Sequence, residues 1–225
     1  GSSFNKLLED YATGRFLWRL GESAYRERFI LKGAQLFRLW DSEIHRPTRD
    51  LDLLGFGDPS EEALSAILDE VCQLPSEPND GLLWESVTTT AIRDDVEYGG
   101  IRANLKATLA GARIPLQVDI GFGDAITPKP VQNQWAGLLD FPAASLLVYP
   151  PETVIAEKLE AAVTLGIRNS RMKDFFDLHW LSDHQEFDRA TLTEAVQATF
   201  ARRGSTLPNS APLALTPEFA ENPDI

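Results

Sequence analysis

Cysteine is almost missing: Cys72 is the only one in 225 residues. A single thiol excludes an internal disulfide and any cysteine-rich metal cage. Histidine is scarce too, and His45, His179 and His184 show no metal-ligand spacing. No apolar run approaches the roughly 20 residues of a membrane helix. Nothing at the start has the pattern of a signal peptide, and Gly1-Ser2-Ser3 reads as an expression scar. Positive charge is short: 21 Lys and Arg stand against 34 Asp and Glu, a formal net charge of −13. Nonspecific nucleic-acid affinity needs many cationic contacts, so a surface that binds polyanions broadly is excluded, while one local basic pocket is not. What remains is an ordinary globular balance, long enough for one large domain or two small ones. It reads as a soluble cytoplasmic protein with no membrane partner.

Hydrophobic spacing predicts a helix over residues 4–20, a short strand over 28–32 closed by Gly33, a short helix over 34–41 and a strand over 49–54. Asp58-Pro59-Ser60-Glu61 has the look of a capping box, with Asp58 as N-cap. Leu64, Ile67, Leu68, Val71 and Leu74 follow at helical spacing, with Cys72 beside them as a buried or half-buried thiol. From Leu83 the pattern turns to β. Residues 101–109 and 113–121 each alternate apolar and polar around the turn Ala110-Gly111-Ala112. Residues 146–149 suit a last short strand. Helices are expected from Pro150-Pro151 to about 165, from an N-cap at Ser170 to about 182, and over about 190–202. The tail from Gly204 has no obvious stop, and native sequence is expected to continue past it. The coarse expectation is an α/β domain over 1–148, with a mixed sheet flanked by helices, and a helical domain over 149–225 that completes an active-site cleft.

Chemistry concentrates in Arg46-Pro47-Thr48-Arg49-Asp50-Leu51-Asp52. In a strand, residues two apart share a face, so Asp50 and Asp52 project together while Leu51 and Leu53 enter the core. Adjacent like charges disfavour each other's ionisation, and a strand gains nothing from the pair unless a cation compensates. Mg²⁺ prefers such carboxylate oxygens, with waters and substrate phosphates as its other ligands. The bland alternative is a solvated strand end. Asp119 adds a third acid on the polar face of a later strand. Three converging acids suit a two-metal, in-line phosphoryl displacement; the competing role for Asp119 is cross-strand pairing with Arg102, Lys106 or Arg113. Lys32-Gly33-Ala34 ends a strand with a glycine that offers backbone N–H groups to a phosphate, although it is no Walker A loop.

A second charged cluster lies in the helical half. Lys158 sits inside a helix of small and apolar residues, and Asp174 and Asp177 share a helix face behind the basic run Arg168 to Lys173. Acids in a first turn favour the helix dipole, and a helical lysine usually faces solvent. The functional alternative has Lys158 neutralise triphosphate charge. His179 reads as partly buried, and the tryptophans read as core and boundary residues.

In this order the segments resemble the AbiEii/AbiGii-type nucleotidyltransferase toxins of the DNA polymerase β-like superfamily. The residues that carry the resemblance are Leu31-Lys32-Gly33-Ala34, Asp50-Leu51-Asp52, Val118-Asp119-Ile120, Ala156-Glu157-Lys158-Leu159 and Arg171 to Asp177. Ala34 departs from the superfamily's second glycine or serine, and the spacer to Asp50 is slightly long. The resemblance implies a Mg²⁺- or Mn²⁺-dependent enzyme that transfers NMP from an NTP to an acceptor hydroxyl, such as the tRNA 3′ end. It implies a bacterial toxin–antitoxin or phage-defence role, with an antitoxin encoded alongside. Asp50, Asp52 and Asp119 would hold metal, with Asp119 also a base. Lys32, Gly33, Ala34, Arg49 and Lys158 would bind the nucleotide, and Asp174 would fix Lys158 or the acceptor. Thr48 matches a position phosphorylated when some of these toxins are held off. The same fold acting on a small-molecule or protein hydroxyl, and a non-catalytic nucleotide-binding module, are the rival readings.

Overall fold

The computed structural model describes residues 4–41, 46, 48, 50–92 and 99–221. The chain divides into two compact units, one of residues 1–123 with 131–148 and one of 124–130 with 149–225.

The first unit is built on a sheet. Among the described residues its strands are β1 (Phe29–Lys32), β2 (Leu51–Gly55), β3 (Leu82–Ile92), β4 (Gly100–Leu109), β5 (Ala112–Phe122), β6 (Val131–Trp135) and β7 (Ala144–Val148). They lie in the order β3-β4-β5-β2-β1-β7-β6. β2 pairs parallel with β5 and β1 parallel with β7, while the other neighbours are antiparallel. Helices α1 (Phe4–Glu22), α2 (Phe37–Trp40) and α3 (Glu61–Gln73) belong to the same unit.

Alternation explains the strands. Ile114, Leu116, Val118 and Ile120 of β5 are buried, as are Ile101, Ala103, Leu105 and Ala107 of β4. β2 is central, and Leu51, Leu53 and Leu54 are fully covered. α1 is amphipathic only in part because much of it is enclosed. Phe16, Leu17 and Leu20 are buried, and so are Arg15 and Arg19. Gly21 lets the helix approach β7 closely: a Cβ there would stand 2.7 Å from the Ser145 carbonyl oxygen. The two buried arginines converge on buried Asp80. Arg19 donates to both carboxylate oxygens at 2.6 and 3.1 Å, and Arg15 adds a bond at 3.0 Å. Burial pushes the Asp80 carboxyl up, but the bonds from Arg19 and Arg15 outweigh it and hold the group below its ordinary value.

Local details differ from the sequence expectations. α3 begins at Glu61, and Ser60 is its N-cap, accepting from the Ala63 N–H. Asp58 instead accepts from the Ser60 N–H at 2.9 Å, an Asx turn one step earlier. Glu61 does not return to the cap; its carboxylate accepts from the Ala91 N–H. β6 was not anticipated. Its run Val131-Gln132-Asn133-Gln134-Trp135 is mostly polar, and pairing with β7 at the sheet edge makes it a strand. Cys72 is buried, and desolvation pushes its thiol up to about 12.

The second unit is helical: α4 (Pro151–Leu165), α5 (Met172–His184), α6 (Arg189–Arg202) and α7 (Pro217–Ala220). α5 starts two residues after the expected cap at Ser170, while α6 is capped by Asp188, which accepts from the Thr191 N–H. Arg203, just past α6, pairs with Glu160 of α4 at 2.8 Å and with Asp124 at 3.4 Å, which ties segment 124–130 to the helices. Among the described residues no helix is long and apolar enough to cross a membrane.

Candidate active site

Strand register builds the first cluster. Lys32 on β1 lies opposite Asp52 on β2, Asp52 lies opposite Asp119 on β5, and Asp119 lies opposite Arg102 on β4. Residues in register share a sheet face, so Lys32, Asp52, Asp119 and Arg102 form a row across four adjacent strands. Neighbouring strands are about 4.8 Å apart, which sets two carboxylates side by side between two cations. Asp52 is partly exposed, whereas Leu54 on the same face of β2 is covered. The acid sits where the cover over β2 stops.

Gly33 follows Lys32 with φ +72, a left-handed conformation that suits glycine. A Cβ at this position would lie 2.0 Å from Asp52 Oδ2. The glycine therefore does two jobs: it turns the backbone, and it leaves room for the Asp52 carboxylate. Ala34 follows in the 3-10 turn Gly33–Leu36.

Asp50 stands one residue ahead of β2, so it is outside the strand ladder it was expected to share with Asp52. A residue missed as functional brings it in. The Gln117 amide donates to Asp50 Oδ1 at 3.2 Å and to the Asp119 oxygens at 3.4 and 3.3 Å. Its signal in the sequence was its place two residues before Asp119 on one strand face. Asp119 also accepts two bonds from Arg102, Nε to Oδ1 and Nη2 to Oδ2, both 2.8 Å. Ahead of Asp50, Thr48 Oγ1 donates to the Asp50 carbonyl at 3.4 Å. The Thr48 carbonyl accepts from Lys6 Nζ at 2.6 Å, and Lys6 pairs with Asp10 at 2.7 Å, so Thr48 is anchored to α1. Arg49 and His45 lie outside the described residues.

The second cluster belongs to the helical unit. Lys158 of α4 reaches two acids of α5, Asp174 Oδ1 at 2.6 Å and Asp177 Oδ2 at 2.9 Å. Arg171 Nε stands 2.7 Å from Asp174 Oδ2, an ion-pair contact without hydrogen-bond alignment. Asp177 is wholly buried and Asp174 nearly so. The shared face of Asp174 and Asp177 thus points inward, and the lysine is half-buried beside them, its side chain 14% exposed. His179 is the reverse case, with its side chain 76% exposed where partial burial was expected. Trp180 stacks on His184 at 4.5 Å.

One acid cluster in the α/β unit and one in the helical unit narrow the field, and the family comparison decides it. A model of the family "Nucleotidyl transferase AbiEii toxin, Type IV TA system" matches residues 15–225. The chain belongs to this family. It is a nucleotidyltransferase of the AbiEii type. Solved structures agree on the fold. JHP933 from Helicobacter pylori superposes with a TM-score of 0.55 at 16% identity, over 89% of this chain and 81% of that one. An antigenic nucleotidyltransferase-like protein from Paracoccidioides brasiliensis gives 0.51 at 15% identity, over 87% and 89%. Among curated proteins nothing matches.

The AbiEii family generally works with an NTP and a divalent metal, and the residues present can be tested for that. Among the described residues no group of three or more His, Cys, Asp or Glu stands assembled as a metal site. Mg²⁺ does not require one, because it takes one or two carboxylates and completes its shell with water and phosphate oxygens. The Asp52 and Asp119 pair in register, with Asp50 linked through Gln117, supplies oxygen donors of that kind. The notch at Gly33, which a Cβ would fill, keeps backbone close to Asp52. The donor set fits a hard cation beside a phosphate.

Proposed function

We propose that this AbiEii-family enzyme transfers an NMP unit from an NTP to the 3′ hydroxyl of an RNA, that of tRNA, in a metal-dependent reaction. The observation that carries the reading is the pair Asp52 and Asp119, abreast on β2 and β5, with Asp52 against the Gly33 turn. Asp50, Asp52 and Asp119 would hold Mg²⁺ or Mn²⁺. Bound there, the metal would activate the acceptor oxygen and steady the leaving pyrophosphate. The residues of the chain do the rest. Gly33 and Ala34 offer backbone N–H groups to the triphosphate. Lys32, one strand from Asp52, offsets phosphate charge, as does Arg49. Asp119 takes the proton of the attacking hydroxyl. Lys158, held by Asp174 and Asp177, supports the packing of α4 on α5 within the helical unit.

Membership of the AbiEii family supports a biological role as the toxin of a bacterial toxin–antitoxin or phage-defence system, acting in the cytoplasm and restrained by an antitoxin. Thr48 is the proposed control point. A phosphate there would add about −1.5 to −2 charges beside Asp50 and oppose an incoming triphosphate.

The test is label transfer from each radiolabelled NTP to total RNA and to a protein lysate. Label in RNA that needs Mg²⁺ and is lost in Asp50→Ala supports the reading. Label in protein alone makes a protein hydroxyl the acceptor. Equal transfer by Asp50→Ala removes the assignment of the site. Nucleotide binding with no metal dependence in calorimetry, and no transfer, indicates a binding module.

A further inference from the structure

Asp119 is already neutralised by the protein. Register sets Arg102 directly opposite it, and the guanidinium engages both carboxylate oxygens at 2.8 Å. The Gln117 amide approaches the same two oxygens from the neighbouring position on β5. A cation that reached Asp119 would meet a carboxylate whose oxygens are occupied by a planar bidentate fork. The pair is nevertheless half open. The Arg102 side chain is 43% exposed and that of Asp119 20% exposed. The guanidinium is the open partner: released from Asp119, it would meet water rather than a buried surface, so its departure strands no charge on the arginine side.

We propose that Arg102 is an internal competitor for the cation site. Asp119 joins that site only when Arg102 leaves it, and the displaced guanidinium is then available to phosphate oxygens, which suit its planar fork. This rests on the metal-dependent reading given above. It makes Arg102 a positioning residue that sets how strongly the third carboxylate competes for metal before nucleotide arrives. It also gives the row Lys32, Asp52, Asp119 and Arg102 a division of labour, with one acid next to the Gly33 turn and the other held in reserve.

The experiment is Mn²⁺ titration of the nucleotide-free, full-length protein, followed by calorimetry and by the electron-spin signal of free Mn²⁺. Wild type, Arg102→Gln, Asp119→Asn, the double variant and Asp52→Asn are compared, each first checked for native circular dichroism. Arg102→Gln is expected to bind Mn²⁺ about three- to tenfold tighter than wild type, through loss of the competing contact to Asp119. In the Asp119→Asn background the same substitution is expected to change affinity less than twofold, because the competition has gone. Arg102→Gln binding no tighter than wild type overturns the proposal. An equal gain in the Asp119→Asn background also overturns it, since that is a general charge effect. Wild-type Mn²⁺ binding that Asp52→Asn removes, with no Arg102 effect, leaves the metal reading standing without this inference. If no binding depends on Asp52, both fall.

Discussion

The two acid clusters use the same parts and come out differently. In the sheet unit, Asp52 and Asp119 lie on the exposed part of a face, and one cation, Arg102, is itself half in solvent. In the helical unit, half-buried Lys158 holds two buried acids, Asp174 and Asp177, and Asp177 has no exposure at all. The difference teaches where ligands can compete. Exposed pairs exchange partners cheaply, whereas a buried pair that loses one member leaves a charge stranded. The sheet cluster is arranged to accept something, and the helical cluster is arranged to stay as it is. Asp80 with Arg15 and Arg19 shows that the sheet unit also builds closed clusters, so openness at Asp119 is a property of that place.

The largest effect should come from Asp52→Asn. Transfer activity is expected to fall by at least about 10²-fold, the scale of losing one charge-stabilising group. The thermal midpoint should not fall, because one of two abreast like charges is removed. A drop in midpoint with activity retained would make Asp52 structural and erase the contrast.

Lys158→Met should behave the opposite way on stability. It leaves two buried acids with one cation fewer, a cost of about 3–5 kcal/mol in urea unfolding. A loss of transfer without any loss of stability would place Lys158 on the substrate and move it out of the closed class.

Asp80→Ala is expected to cost a similar or slightly smaller amount, about 3 kcal/mol, by stranding Arg15 and Arg19. Its pH signature has a definite sign. The folded Asp80 carboxyl lies below its ordinary value, near 3.9 when unfolded. Its contribution is therefore full above about pH 4 and is lost as pH falls through the folded value. Acid unfolding followed by circular dichroism should shift to higher pH on deleting Arg19. An unchanged acid limb would contradict the assignment.

Gly33→Ala should cost about 1–3 kcal/mol from the left-handed backbone alone. Transfer should fall as well, because the new Cβ would displace the Asp52 carboxylate. The smallest effect is kinetic. Cys72, buried with its thiol pushed up to about 12, should react with a thiol reagent only as fast as the protein opens. Fast labelling at neutral pH would show that α3 is loosely held.

Much of this was written in the chain. Period-two alternation over 101–109 and 113–121 specified β4 and β5 and which of their faces is buried, because only one face of each run is apolar. The order of Gly33, Asp50-Leu51-Asp52, Asp119, Lys158 and Asp174 was enough to suggest the AbiEii family. The edge strand β6 was not legible, since its residues are polar and only β7 makes them a strand. Nor was the cap at Ser60, where Asp58 and Ser60 on either side of Pro59 could each serve and backbone geometry chose.

The site shows the same division. Residue types and their order along the chain named the acids, because chemistry of this kind needs carboxylates near a glycine turn. Register was decided by folding. The hairpin of β4 and β5 already sets residue 102 opposite 119, but nothing local to residue 52 says that it joins their row, because β2 and β5 are far apart in sequence. Burial was decided there too. It buried Asp174 and Asp177 under a half-buried Lys158 and left Arg102 43% exposed, so losing the lysine strands buried acids while the arginine side opens to water.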